Sequence, residues 1–299
     1  SALIGTIFWL YLASLLGAEH YGQLSYFLSI ASIASTVSLL GTENVISVYI
    51  AKKVKLEATI YLLPIVAGSI ASLILYYYFS DLGITVYVLG AVIFGLASTE
   101  LLAKGLFKSY SKYLLLTKIL MVGLSIGLYH LIGIEGILLG VGLAFFLYII
   151  RIYKGFRESK VNFSLIKPRM GFMVNSYAIQ LVSSFNGSLD KIIIAPMVGF
   201  TLLGNYHLGI QFLSILHILP GIVYKYILPQ DASGNPNKKL KQLTVISSIG
   251  IAIMGIVLAP TIIPLFLPKY TEAITIIQIM SISVIPSTIN LMYTSKLLG

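Results

Sequence analysis

The amino-acid sequence predicts an all-α integral membrane protein with about ten transmembrane helices. Three observations lead to this fold class. Hydrophobic residues make up 58% of the chain and charged residues only 10%, whereas about a quarter of the residues of a soluble domain are charged. Apolar stretches long enough to cross a hydrocarbon core of about 30 Å recur along the chain. The connections between these stretches alternate between basic and nearly non-basic. Helices are expected because lipid offers no hydrogen-bond partner to the backbone.

The apolar stretches define the predicted spans in order. They cover residues 2–16, 21–50, 58–79, 84–103, 113–132, 136–153, 172–198, 203–228, 243–265 and 273–298. The first stretch lacks the basic lead and the cleavage site of a signal peptide. Because the chain starts without Met and enters an apolar stretch at once, we expect an internal fragment of a longer membrane protein.

The distribution of basic residues predicts the orientation of the spans. Of the 20 Lys and Arg residues, all except Lys191 and Lys269 lie in or beside one set of connections. By the positive-inside rule this set is cytoplasmic, as are both termini, in a multi-pass protein of the cell membrane. The net charge of +10 is therefore a topology signal. Nucleic-acid binding is not expected, because the charge is spread over separate loops.

The longest polar stretch, residues 154–170, divides the chain after six spans. It predicts an N-terminal lobe of six helices (residues 1–153), a cytoplasmic linker (154–170) and a C-terminal lobe with four helices (171–299). An internal repeat crosses this division, since Gly17 and Gly22 lie 182 positions before Gly199 and Gly204. An even number of spans in the first lobe gives both lobes the same orientation, as in parallel repeats.

Polar residues form stripes at helical spacing in three spans. The second span carries Ser25, Ser29, Ser32, Thr36, Glu43 and Ser47 on one face; the seventh carries Ser176, Gln180, Ser183, Gly187 and Asp190; the eighth carries His207, Gln211, Ser214 and Lys225. A shift of 182 positions aligns Ser32 with Ser214 and Glu43 with Lys225. The repeat and the stripes rest on different criteria and agree.

Two interpretations of the stripes stay open. Small and hydroxylated residues are typical of close helix packing in membranes. Stripes that also carry ionisable residues indicate a hydrated central cavity, because such residues are costly in lipid and usually functional. On the second interpretation the candidate substrate or cavity residues are Lys191, Asp190, Glu43, Lys225, Gln180, His207, Gln211, Ser183 and Ser32.

The ionisable candidates have different expected roles. Glu43 is expected to bind a coupling cation, to contact substrate or to pair with a basic residue. Asp190 and Lys191 are consecutive and point about 100° apart, so we expect that they do not simply neutralise each other. Lys191 is the best candidate for an anionic headgroup, with a structural pair to Asp190 through a neighbouring helix as the alternative. Glu100 is expected to pair with Lys104 four residues later.

Other chemistry finds no support in the sequence. It contains no Walker-type glycine loop, no HExxH motif and no cluster of metal ligands, so neither a cofactor nor a metal site is expected. The carboxylates lie on different helices and do not form the close acid–base pair of a glycosidase. We expect no enzyme activity.

Three short segments, in this order and spacing, resemble a known family. They are Leu16-Gly17-Ala-Glu-His-Tyr21-Gly22; Asp190-Lys191-Ile-Ile-Ile, followed by Gly199 and Leu203-Gly204-Asn205-Tyr206; and Pro264-Leu-Phe-Leu-Pro-Lys-Tyr270-Thr-Glu-Ala273. The sequence resembles the oligosaccharide flippase (Wzx-like polysaccharide transporter) family of the multidrug/oligosaccharidyl-lipid/polysaccharide exporter superfamily. Leu267 replaces the family's usual glycine.

This resemblance implies two parallel six-helix lobes around a central cavity that opens alternately to each face. The chain would be a fragment of a protein of 12–14 helices. Its substrate would be a polyprenyl-pyrophosphate-linked oligosaccharide, flipped from the inner to the outer leaflet. The implied partners are this lipid-linked oligosaccharide, membrane lipids and a coupling ion, H⁺ or Na⁺.

Two alternatives remain. The first is a drug or cation exporter of the same superfamily that uses Glu43 or Asp190 for ion exchange. The second is a polytopic polysaccharide polymerase or ligase, which would need a large outer loop, whereas every predicted outer loop is short.

Overall fold

The chain is almost entirely helical. The computed structural model describes residues 2–298, and these residues contain no β-strand. Ser1 and Gly299, the termini predicted to be cytoplasmic, lie outside the described residues. The all-α fold class is confirmed.

The helices follow the predicted spans closely. In chain order the α-helices of the described residues are α1 (Ala2–Leu16), α2 (Ala18–Leu39), α3 (Thr42–Val45), α4 (Glu57–Phe79), α5 (Leu82–Ala103), α6 (Phe107–Ile132), α7 (Glu135–Phe145), α8 (Ile149–Glu158), α9 (Met170–Leu216), α10 (Ile218–Ala232), α11 (Lys238–Phe266), α12 (Ala273–Ile282) and α13 (Val284–Leu298). A π-helical turn, Ile46–Ile50, continues α3. All ten predicted stretches are largely helical, and the second is interrupted at Leu40 and Gly41.

Length and apolar composition make most of these helices fit to cross a membrane. Among residues 2–298, seven helical segments meet both conditions, or eight if the bent pair Ala18–Leu39 and Thr42–Ile50 is one span. The 47-residue helix α9 contains the seventh predicted span and the first part of the eighth, which continues into α10. Gly199, with φ 85° and ψ 168°, breaks α9 between these two spans. Large apolar side chains face outward, such as Leu73 and Tyr77, which is 83% exposed. Such a surface suits lipid and not water.

Contacts divide the chain into two compact units. The first unit is Leu24–Met197, and the second consists of Ala2–Gln23 and Val198–Gly299. Helices α2 and α9 therefore each contribute to both units. The lobes predicted from sequence, residues 1–153 and 171–299 with the linker 154–170, stay a prediction.

Glycines allow the helices of the first unit to pack closely. A Cβ on Gly136 or Gly140 of α7 would come within 2.4 Å of the backbone of α6, and one on Gly142 within 2.7 Å of the backbone of α5. Small residues four apart are a typical packing surface between membrane helices, because they let the backbones approach. Large side chains fill the neighbouring core, where Tyr61 and Tyr148 are fully buried.

Candidate functional sites

The second predicted span is broken in its middle. Leu40 and Gly41 have φ angles of 52° and 72°, in the left-handed region that favours glycine. The segments on either side of the break differ in direction by 49°. Gly41 is also required by space, because a Cβ there would lie 2.5 Å from the carbonyl oxygen of Met173 on α9. The break leads into the π-helical turn, a rare element that often occurs at functional sites.

Glu43 lies just after this break and contacts two other helices of the first unit. Its Oε2 accepts a hydrogen bond of 3.1 Å from Nε2 of Gln180 on α9. Its Oε1 packs against Gly95 of α5, where a Cβ would come within 2.6 Å. The Oε1 of Gln180 is buried and has no hydrogen-bond partner among residues 2–298. The structure thus brings together two side chains that were predicted from separate stripes.

No basic side chain of the described residues forms an ion pair with Glu43. The carboxylate and the unpartnered amide oxygen of Gln180 therefore form an oxygen-rich pair inside a span. We name Glu43 and Gln180 the carboxylate–amide site. A partly buried carboxylate without a cationic partner can bind a proton or a hard cation.

Asp190 and Lys191 are paired, so the prediction that they do not neutralise each other was wrong. The Nζ of Lys191 lies 3.4 Å from Oδ1 of Asp190 and donates a hydrogen bond of 2.6 Å to the carbonyl oxygen of Gly187. The physical reason is the long, flexible stem of lysine, which folds back toward the preceding helical turn. The side chain of Lys191 is only 9% exposed. Lys191 is therefore not a free cation in this structure.

Hydroxyl groups of the second span bond mainly within their own helix. Thr36 and Ser35 both donate to the carbonyl oxygen of Ser32, and Ser29 donates to that of Ser25. Such bonds agree with the packing interpretation for these residues. Ser183, the candidate serine of the seventh span, is exposed on α9.

His207 belongs to an aromatic cluster in the second unit. Its ring centroid lies 5.0 Å from that of Tyr21 and 6.3 Å from that of Trp9. The Nε2 of Gln211 lies 3.4 Å from Nε2 of His207. His207 is therefore buried beside two aromatic rings. Lys225 is exposed on α10, and its predicted equivalence to Glu43 stays a prediction.

The repeated glycines meet in a reciprocal contact within the second unit. A Cβ on Gly22 of α2 would lie 1.9 Å from the carbonyl oxygen of Phe200, and a Cβ on Gly204 of α9 would lie 1.9 Å from that of Ala18. Phe200 and Gly204 lie 182 positions after Ala18 and Gly22. We name these four residues the glycine crossing. Gly17 and Gly199 precede the two helical segments with similar φ angles of 78° and 85°. This two-fold arrangement supports the predicted repeat.

A charge cluster in the first unit was only partly predicted. The expected pair of Glu100 and Lys104 is confirmed, with a distance of 2.8 Å. Lys104 also lies 3.1 Å from Glu57 and 2.7 Å from Glu158, while Arg151 lies 2.9 Å from Glu100. We name these five residues the Lys104 cluster. Partial burial lowers the pKa of Lys104, but its hydrogen bonds to the three carboxylates outweigh this effect and raise the pKa above its usual value. Lys104 therefore stays charged.

Comparison with known proteins identifies the fold. No protein-family model matches the sequence, and no curated protein is significantly similar to it. A solved structure matches with a TM-score of 0.66 and 12% identity over 99% of this chain and 80% of the other. It is described as the inward-facing conformation of a multidrug resistance MATE family transporter of the MOP superfamily. At this identity the similarity establishes the fold, so the chain is a multi-pass membrane protein with a MATE-like fold.

Proposed function

We propose that this protein is an ion-coupled membrane transporter that works by alternating access and flips polyprenyl-pyrophosphate-linked oligosaccharide to the outer leaflet. The observation that carries the transport role is the carboxylate–amide site at the break of the second span. Interrupted helices are where many transporters bind substrates and coupling ions, because the break frees backbone groups and ends helix dipoles inside the membrane. The MATE-like fold supports the same role.

Glu43 is the proposed coupling residue. It combines partial burial, an amide partner and the absence of a described cationic partner. Protonation or Na⁺ binding would remove its uncompensated charge, and release of the ion would restore it. A transporter needs such a change to link ion movement to a change of conformation.

The oligosaccharide substrate is proposed from the resemblance of the three sequence segments. Transfer of a sugar headgroup into hydrocarbon costs several kcal/mol of free energy for each polar group that is left without a hydrogen bond, so unaided flipping would be very slow. Lys191 is the proposed contact for the pyrophosphate, and its ammonium group is paired with Asp190 in this structure. A pyrophosphate would have to compete with Asp190 for the lysine ammonium. Lys225, which is exposed, is a second candidate contact.

A drug or cation exporter is the second candidate function. The observation that favours it is that Lys191 is paired with Asp190, whereas Glu43 of the carboxylate–amide site has no basic partner among the described residues. An acidic site attracts cations and repels pyrophosphate. The two functions therefore differ in the charge of the substrate that they predict.

Transport by the full-length protein in proteoliposomes tests both functions. One set of vesicles contains a fluorescent polyprenyl-pyrophosphate oligosaccharide and another an organic cation, each with an imposed H⁺ or Na⁺ gradient. We expect gradient-driven flipping of the lipid, reduced at least tenfold by Glu43→Gln. Glu135→Gln, which changes an exposed carboxylate, is the matched control and should leave transport unchanged.

The outcomes separate the two candidates. Movement of the organic cation without flipping of the lipid supports the exporter. Full gradient-driven activity of Glu43→Gln, at normal protein yield, would rule out the proposed coupling role of the carboxylate–amide site.

A further inference from the structure

Two cavities lie beside α11 and α13 in the second unit, and Asp231, Gly234 and Pro236, from the end of α10 and the loop that follows it, also line the smaller one. One has a volume of about 600 Å³ and the other of about 510 Å³. They share Lys241, Gln242 and Lys296 in their walls. The shared wall shows that the two cavities adjoin, and we name them together the α11–α13 slot.

One end of the slot is apolar. Val245 and Ile246 of α11 face Met292 and Tyr293 of α13 across the larger cavity. Ile246 and Tyr293 are each 63% exposed. These residues lie one helical turn from the polar pair Lys241 and Gln242, and from Lys296, so the slot changes from apolar to basic along the helix axes.

The other end of the slot is basic. Lys238 and Lys296 are exposed, and no carboxylate of residues 2–298 forms an ion pair with either. Lys241 is different, because it pairs with buried Asp231, which also accepts a hydrogen bond from Ser295. The hydrogen bonds from Lys241 and Ser295 lower the pKa of Asp231 and keep it ionised. The charges of Lys241 and Asp231 cancel, which leaves two free cations at the slot.

We propose that the α11–α13 slot binds an anionic phospholipid, with the phosphate at Lys238 and Lys296 and an acyl chain along the apolar wall. The charge of the slot selects an anion, and its exposed apolar wall requires an occupant that also carries a hydrocarbon chain. Both lysines belong to the set predicted to be cytoplasmic, where anionic lipids attract basic residues near the membrane surface. Basic pockets between transmembrane helices on that side are known to hold lipid headgroups. This site is independent of the proposed transport function.

Lipid binding to the purified full-length protein tests this proposal. Native mass spectrometry would count bound phosphatidylglycerol and phosphatidylcholine as each is titrated. Each surface lysine contributes about fivefold to the affinity for an anionic lipid. We therefore expect the variant with Lys238→Gln and Lys296→Gln to bind the tightest phosphatidylglycerol about 25-fold more weakly. The matched control is Lys108→Gln with Lys112→Gln, which removes two exposed lysines of α6 outside the slot.

Two further arms test the chemistry of the occupant. Glycerol phosphate, which has the phosphate but no chain, should not displace phosphatidylglycerol at concentrations where the lipid saturates. Ile246→Ser, which keeps both lysines, should weaken phosphatidylglycerol binding. Unchanged binding in the slot variant, an equal loss in the control, equal affinity for phosphatidylcholine or displacement by glycerol phosphate would each overturn the proposal.

Discussion

Gly22→Ala is the sharpest test of the packing described here. The new Cβ would lie 1.9 Å from the carbonyl oxygen of Phe200 and 2.8 Å from the backbone nitrogen of Gly204. Carbon and carbonyl oxygen atoms in contact are separated by at least about 3.3 Å, so the backbones at the crossing would have to move apart by about 1.4 Å. The atoms that a new Cβ would meet belong to the backbone of Phe200 and Gly204, so no side-chain rotation can relieve the clash. Overpacking of this kind costs about 1–3 kcal/mol.

The substitution also has a favourable effect that must be subtracted. Alanine is better than glycine in a helix by up to about 1 kcal/mol. Gly250→Ala measures this effect alone, because a Cβ at Gly250 of α11 meets nothing within 4 Å. Thermal unfolding of the full-length protein in detergent would report both. We expect Gly250→Ala to melt at or above the temperature of the wild type, and Gly22→Ala to melt roughly 2–6 °C below Gly250→Ala.

The reciprocal position provides the internal check. Gly204→Ala should destabilise by a similar amount, since its Cβ would meet the carbonyl oxygen of Ala18 at the same 1.9 Å. If Gly22→Ala and Gly204→Ala both melt at the temperature of Gly250→Ala, the close crossing and the two-fold reasoning built on it are refuted.

Three further predictions concern charged residues. Arg151→Met leaves fully buried Glu100 with Lys104 as its cationic partner, and we expect the free energy of unfolding to fall by up to about 3 kcal/mol, since a buried charge that loses one of its partners is less well compensated. Lys191→Gln removes the proposed pyrophosphate contact, and we expect reduced flipping at normal protein yield in proteoliposomes. With cysteine introduced at Lys108 or Glu135 of this cysteine-free chain, an impermeant thiol reagent should label the two positions from opposite sides of the membrane.

Each of these predictions has an outcome that contradicts it. An Arg151→Met variant as stable as the wild type would show that Lys104 alone neutralises Glu100. Low yield of Lys191→Gln with normal specific activity would assign Lys191 a structural role through its pair with Asp190. Labelling of both cysteine variants from the same side would refute the predicted orientation.

The sequence predicted the helices well because their cause is local. An apolar stretch of sufficient length must become a helix in lipid, whatever its neighbours are. The helical period placed Glu43 and Gln180 on polar stripes of two separate spans, and the structure shows these two side chains in contact. The repeated glycines were visible in the sequence because a close crossing of two backbones accepts only glycine at the point of contact.

Features that depend on distant residues or on side-chain flexibility were not predictable in this way. The break at Leu40 and Gly41 depends on the approach of α9, and the sequence predicts an unbroken span there. The side chains of Asp190 and Lys191 leave the helix about 100° apart, but the flexible lysine stem bends back and brings the two charges together. The contacts of His207 with aromatic rings come from residues almost 200 positions away.

The Lys104 cluster has a consequence for the motion of the protein. The ammonium group of Lys104 has three N–H donors, and its three carboxylate neighbours belong to α4, α5 and α8. Each N–H group can therefore bond to a different helix, so the nitrogen atom of Lys104 links the ends of all three helices. A flat guanidinium cannot point its donors in the same three directions, and arginine is therefore no replacement here. In any conformational change these three helix ends should move together as a rigid group. The amide hydrogen-exchange rates of the three ends should then match one another in both end states.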